Sequence, residues 1–333
     1  MKVTITDIAK DTGLALSTIS RYLNHKKVQP ENQVLIEASI KKLGYTPNRI
    51  AQGLRSKSSR SVALLIPFYS NYFWGHSVSY VTSALWEKGY TCTVHTYLPE
   101  TDKQLKTIQL LISKKIGGVI AVSGSLSQEA LNRLEDNGVP IVLLDQVLSS
   151  LSVDYVTSDN YQGGYMAGSY LAGKGHKKIG FIASEPGTYT ICQRTRGFLD
   201  ALQDHQIPSI PQYYSYQTSA YPAAEAQLQH LLSLKEPPTA LFFCYYESCL
   251  SGISELAKYN ISVPEKISII GFDDDPLFSS LAPSITVIAQ DFLTIGKEAT
   301  KILLSRISGE DSSPGKKVLV PVRLIERESV AAI

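Results

Sequence analysis

Leu16, Ser17, Thr18, Ser20, Arg21 and Asn24 fall within one short run of the chain, and together these residue types suit the reading of base-pair edges. Arg21 is the long forked donor, matched to a guanine O6/N7 pair or to a phosphate. Ser17 and Thr18 offer single, weakly discriminating hydrogen bonds, and Leu16 can pack on a thymine methyl. Ile19 and Leu23, four apart, mark the core side of a helix that begins near Leu16. This turns Leu16, Ser17, Ser20, Arg21 and Asn24 outward or to the edge.

The elements that hold this face are legible on either side. Thr6, just before Asp7, is expected to cap a first helix, and Gly13 ends it with a left-handed corner after which Leu14 anchors. A third helix is expected over Glu31 to Leu43, with Val34, Leu35, Ala38, Ile40 and Leu43 as its apolar stripe, closed by Gly44 and Pro47. The result is an all-α helix-turn-helix headpiece over residues 1–46, with the helix-turn-helix itself from Ile5 to Asn24.

Charge supports the same division. The first sixty residues hold seven Lys and four Arg against two Asp and two Glu, while the remainder holds 21 basic and 26 acidic residues. A basic head on an acidic body is the footprint of a phosphate-backbone binder whose other part does something else. An ordinary solvated helical face is the blander alternative.

Thr6-Asp7-Ile8-Ala9, Ser17-Thr18-Ile19-Ser20-Arg21-Tyr22-Leu23-Asn24, Lys42-Leu43-Gly44-Tyr45-Thr46-Pro47-Asn48 and Ile50-Ala51-Gln52-Gly53-Leu54 resemble the headpiece and hinge of the lactose-repressor (LacI/GalR) family. The resemblance continues through Ser158-Asp159-Asn160, Gly175-His176-Lys177-Lys178-Ile179, Arg194 with Gly197-Phe198, Ile267 to Asp274, and Pro283 to Gln290. It implies a homodimer on double-stranded, pseudo-palindromic operator DNA. Thr6, Leu16, Ser17, Thr18, Ser20, Arg21, Asn24, Tyr45 and Asn48 are the implied contacts of the head, and Ala51 and Leu54 those of the hinge. Leu54 then wedges between central base pairs, and the bend it permits offsets an unstacking cost of a few kcal/mol per step. Residues 47–60 are read as hinge helix and linker, ordered by DNA; a plain flexible linker is the alternative. Ala15 departs from the family's usual Ser, removing a side-chain cap worth about 1 kcal/mol. Either Ser17 takes over a contact there or the head binds less tightly.

From Arg60 the pattern changes to short apolar runs separated by helical stretches: Val62 to Ile66, Thr91 to His95, Gly118 to Val122 and Ile141 to Leu144, then Lys178 to Ala183, Ala240 to Cys244 and Ile267 to Gly271. Such alternation predicts two doubly wound, parallel-sheet α/β subdomains with a ligand cleft between them, which the resemblance implies is periplasmic-binding-protein-like. The resemblance implies that the chain crosses between them more than once. The N-subdomain is expected over about 61–160 and 291–317, and the C-subdomain over about 161–290 and 318–333, within an effector-binding and dimerisation domain of 61–333.

Phe68, Tyr72 and Phe73 follow the first strand, Asp145 ends the fourth, and Asp273 with Asp274 follows Ile269-Ile270-Gly271. Loop tips of this kind carry binding groups. By resemblance, Tyr72, Phe73, Asp145, Arg194, Asp273 and Gln290 are effector contacts. Aromatic faces against C–H groups, with carboxylates and a forked Arg on hydroxyls, suit a sugar; each aromatic, taken singly, also fits core packing. Cys244-Tyr245-Tyr246-Glu247 replaces a small polar Ala-Asn-Asp stretch of many relatives, so Tyr245 either adds a stacking surface or narrows the cleft. A purine between Phe73 and Tyr245, with Arg194 on its edge, competes with the sugar.

Other signals limit the alternatives. There is no export segment and no apolar run near the ~18 residues of a membrane helix, so no membrane partner and a cytoplasmic location are expected. Cys92, Cys192, Cys244 and Cys249 form no C-x-x-C, and no disulfide, metal or cofactor is expected. His176 is read as a surface or capping residue. Without a G-x-G-x-x-G, a P-loop or a nucleophile elbow at Ser123-Gly124-Ser125, enzymatic function is not expected, although Asp273 and Asp274 are adjacent acids. An exported sugar-binding protein would share the body but have a leader and no basic head. Ala331-Ala332-Ile333 leaves no room for a heptad tail, which disfavours a tetramer built that way. These readings converge on a ligand-responsive transcriptional regulator, with a repressor as the expected form.

Overall fold

The computed structural model describes residues 3–23, 27–45, 59–67, 72–98, 100–122, 126–145, 147, 153–184, 188–217, 224–313 and 315–333. Asn24, Asn48, Ala51, Leu54 and Phe68 lie outside the described residues, as do the rest of the hinge over 46–58 and the side chain of Phe73. Contacts divide the chain into two compact units, Met1–Ser59 and Arg60–Ile333.

The first unit packs α1 (Ile5–Thr12), α2 (Leu16–Leu23) and α3 (Pro30–Leu43) around fully buried Ile8, Ile19 and Ile36. The cap of α1 is Thr4, not Thr6. The Asp7 carboxylate accepts from the Thr4 N–H at 2.8 Å and from its hydroxyl at 2.7 Å. Three-residue spacing closes this reciprocal cap two residues earlier than the sequence reading placed it, leaving Thr6 inside the helix and exposed. Gly13, at φ 69°, donates its N–H to the Ala9 carbonyl and turns the chain into α2.

The apolar stripe of α3 also needs correction. Val34 is 66% and Leu35 49% exposed, whereas Ile36 is the buried residue, with Ile40 and Leu43 packed beside it. Two adjacent stripes of α3 carry apolar residues at helical spacing. Periodicity alone does not choose between them; packing against Ile8 and Ile19 does.

The second unit holds two six-stranded sheets. In the first, β11 (Lys317–Val320), β5 (Asp154–Ser158), β4 (Ile141–Leu144), β3 (Gly118–Val122), β1 (Ser61–Ile66) and β2 (Thr91–Thr96) lie side by side, all parallel. Val62, Leu64 and Ile66 of β1 face one hydrophobic cluster, and Ala63 and Leu65 face another. Burial on both faces is why β1 and β3 read as unbroken apolar runs. The second sheet runs β12 (Arg323–Ile325), β10 (Thr286–Ala289), β9 (Ser268–Phe272), β8 (Ala240–Phe243), β6 (Ile179–Ser184) and β7 (Tyr214–Gln217), parallel except for β12.

The helix after β10, Phe292–Ser308, returns to the first sheet and packs Phe292, Ile295, Ala299, Ile302 and Leu303 against it. The expectation for Val318 is corrected, because Lys317–Val320 pairs with Asp154–Ser158 in the first sheet and only Arg323–Ile325 joins the second. The Arg306 guanidinium fixes this edge, donating to both Asp154 oxygens at 2.8 and 2.7 Å while the Lys316 N–H adds a third bond at 2.7 Å. Strand β5 escaped the sequence reading because Asp154, Thr157 and Ser158 interrupt its apolar pattern, although all are buried.

His176 is not a surface residue. It is 1% exposed, with its ring nitrogens bonded to the Thr239 and Ser268 hydroxyls at 2.9 and 3.1 Å and to the Ala331 carbonyl at 3.2 Å. It ties the C-terminal residues to the second sheet.

Candidate functional site

In the three-helix unit, Leu16 is 48% exposed, Ser17 and Arg21 are exposed, and Thr18 and Ser20 are half-buried. Ile19 anchors the other side of α2. The Tyr22 hydroxyl donates to Glu37 at 2.8 Å, which fixes α2 against α3, and Lys42 bridges to Asp11 at 2.6 Å, which fixes α3 against α1. An outward polar face is therefore carried on a braced helix. Arg21 donates to the Lys27 carbonyl at 3.1 Å, and Tyr45 packs against the small core.

In the larger unit, the candidate groups gather just past the carboxyl ends of strands, where open parallel sheets bind ligands. Asp145 follows β4 and Asp273 follows β9, at φ 56° and 75°. Non-glycine residues held in the left-handed region cluster at functional sites. Arg194, close enough for both carboxylates to act on its charge, is 3% exposed in the helix Tyr189–Asp204. Its Nε donates to Asn160 Oδ1 at 2.8 Å and an Nη1 proton goes to the Cys244 carbonyl. Its guanidinium carbon sits 3.4 Å from the Phe272 ring centroid, a cation–π contact.

Two glycines place this arginine. A Cβ on Gly197 would come 2.0 Å from the Tyr161 carbonyl oxygen, and one on Gly164 1.9 Å from that of Arg194. Only their absence lets Tyr189–Asp204 press against the helix Asn160–Gly173.

Electrostatics follow from burial. Loss of water pushes the Asp145 and Asp273 carboxyls up, and the Arg194 charge opposes this in both. Burial pulls the guanidinium down, against the pull of Asp273 and Asp145. Asp145 accepts from Thr157 at 3.2 Å, and Gln290 links the two sheets, accepting from Ser158 and donating to Asp273, both at 2.5 Å.

Tyr72 begins the helix Tyr72–Glu87 of the first sheet and reaches the second. Its hydroxyl donates to the Asp274 carbonyl, its N–H donates to Glu247 at 3.2 Å, and its ring stacks on Tyr246 at 4.5 Å. Tyr245 precedes the helix Tyr246–Lys258 and packs against the core of the second sheet. Sequence reasoning placed Tyr72, Asp145, Arg194, Asp273 and Gln290 here. It missed Thr157, Ser158, Asn160, Tyr246 and Glu247 as members of the network, and Thr190, whose hydroxyl donates to the Asp145 carbonyl at 3.2 Å. Ser158 and Asn160 stood in a quoted motif, and Glu247 in a noted departure; only their partners, far apart in sequence, identify them.

Among the described residues no helix is long and apolar enough to cross a membrane, and no cluster of His, Cys, Asp and Glu is arranged to hold a metal.

Comparison with known proteins matches residues 4–48 to "Bacterial regulatory proteins, lacI family" and residues 169–330 to "Periplasmic binding protein-like domain". The HTH-type transcriptional repressor PurR of Yersinia pestis bv. Antiqua (strain Antiqua) is 30% identical over 98% of this chain and 97% of its own length. The structure of a transcriptional regulator CelR–cellobiose complex superposes with a TM-score of 0.75 at 26% identity, covering 98% of this chain and all of that one. The lac repressor dimer bound to operator and the anti-inducer ONPF shares the fold, with a TM-score of 0.83 at 23% identity over the full length of both chains.

Proposed function

This chain belongs to the lacI family of bacterial regulatory proteins, and from that premise we propose that it is a repressor whose hold on a pseudo-palindromic operator is set by a carbohydrate in the cleft between its two sheets. The observation that carries this reading is the buried Arg194, close enough for Asp145 and Asp273 to act on its charge, in a chain whose separate three-helix unit turns Leu16, Ser17 and Arg21 to solvent. Two copies present two such faces to two half-sites. Thr6, Thr18, Ser20, Asn24, Tyr45 and Asn48 complete the DNA-contacting set, while Ala51 and Leu54 of the hinge enter the minor groove.

A carbohydrate suits the cleft because its groups are carboxyls, side-chain amides and hydroxyls that bond to hydroxyls. The cellobiose complex of the related CelR supports the same class. The ring of Tyr72, stacked on Tyr246, braces the two sheets against each other. In this reading the adjacent acids Asp273 and Asp274 hold the cleft together rather than act on a substrate: Asp273 bonds to Gln290, and Asp274 to Arg327 at 2.7 Å.

Selection of duplexes from a random library by the purified full chain tests the DNA half of this reading. Recovered sequences are expected to share two inverted half-sites about the centre. Recovery of an unenriched pool would contradict it.

A further inference from the structure

The helix Tyr246–Lys258 starts at the cleft, and its N-cap residue Tyr245 provides no side-chain cap. Exposed amides at such an end ordinarily attract phosphate or carboxylate. Here the chain's own acids take them. The Asp273 carboxylate accepts from the Tyr246 N–H, and the Glu247 carboxylate accepts from its own N–H and from that of Tyr72. The cations nearby are also engaged. Arg194 is bonded to Asn160 and the Cys244 carbonyl and faces Asp145 and Asp273, and Arg327 is bonded to Asp274 and the Ile285 carbonyl. Groups that would welcome an anion are occupied, and carboxyls that would repel one remain.

Resting on the carbohydrate reading above, we propose that the cleft admits an uncharged polyhydroxyl ligand and rejects its phosphate esters, with Glu247 as the residue that sets this selection. Its carboxylate, half-buried at the helix end, adds a negative charge where a phosphate would otherwise dock.

The test is calorimetric titration of the full chain with matched pairs: ribose and ribose 5-phosphate, glucose and glucose 6-phosphate, cellobiose, and inosine with its 5′-monophosphate. At least one free sugar is expected to bind, with its phosphate ester weaker by about a hundredfold, the size of a like-charge repulsion about 6 Å apart at moderate dielectric. The Glu247→Gln variant keeps an acceptor for the Tyr72 N–H. It is expected to bind the ester about tenfold or more tightly than wild type does, and to raise the ratio of ester affinity to free-sugar affinity by a similar factor.

In wild type, inorganic phosphate is expected to compete no better than chloride at equal ionic strength, a measurement that needs no variant to fold. An ester binding wild type as tightly as its free sugar, competition by phosphate, or an ester affinity unchanged by Glu247→Gln overturns the proposal. Silence from every uncharged probe does so too. Binding of inosine but of no sugar, with the monophosphate excluded, removes the carbohydrate reading and leaves the charge selection standing.

Discussion

Arg194 is the buried centre of the proposed site. It carries a buried positive charge whose neighbours, Asp145 and Asp273, are themselves held away from water. Removing one partner of a buried ionic set leaves the others uncompensated, so Arg194→Met is expected to lose about 3–5 kcal/mol of stability at neutral pH by urea unfolding. A loss within about 0.5 kcal/mol, the size of a surface change, would contradict the account.

The pH dependence carries an independent sign. The Asp145 carboxyl is raised in the folded state, so its contribution is most favourable at low pH and is lost as pH rises through that raised value. Comparing melting temperatures of wild type and Asp145→Asn, the difference is expected to move in favour of wild type as pH falls from neutrality toward the ordinary carboxylate range. Drift in the opposite direction would show that Asp145 is stabilised as an anion. The residues that could be named from sequence were those following an apolar strand, such as Asp145 and Asp273. Glu247 and Asn160 became site residues only through Tyr72 and Arg194, at 175 and 34 positions' remove.

Among the elements, α3 separates what periodicity tells from what packing decides. Ile36→Ala is expected to cost about 2–5 kcal/mol, as deletions from a tight core do. Leu35→Ala, on the exposed stripe, should stay within about 0.5 kcal/mol. Circular dichroism of the full chain across the melt of the three-helix unit distinguishes them, and equal losses would restore the stripe read from sequence.

The strands of the two sheets were legible where both faces are apolar, as in Val62 to Ile66 and Gly118 to Val122. They were illegible where buried polar groups interrupt the run, as in Asp154 to Ser158. The edge strand Lys317–Val320 read as part of the wrong sheet because nothing local marks it. Its place is fixed by Arg306 and Asp154, 152 residues apart. Close approach of the helices Asn160–Gly173 and Tyr189–Asp204 likewise depends on Gly164 and Gly197, whose lack of a side chain matters only once the opposite backbone is known.

For the whole molecule, the claim is a coupling: a ligand in the cleft changes operator affinity by as much as it prefers one arrangement of the two sheets over the other. Tyr72, Gln290 and the stack on Tyr246 span the sheets, so a ligand inserted among them shifts the balance between arrangements. The direction of the shift, release or retention, follows from which arrangement the ligand favours.

The most direct measurement is a fluorescence-anisotropy titration of the full chain on a selected palindromic duplex and on a scrambled one, each with and without the sugar that binds the cleft. The account predicts a marked preference for the selected duplex and a change of roughly five- to 150-fold in that affinity on adding sugar. Equal affinity for both duplexes, or an affinity for the selected one that sugar leaves unchanged, would contradict it.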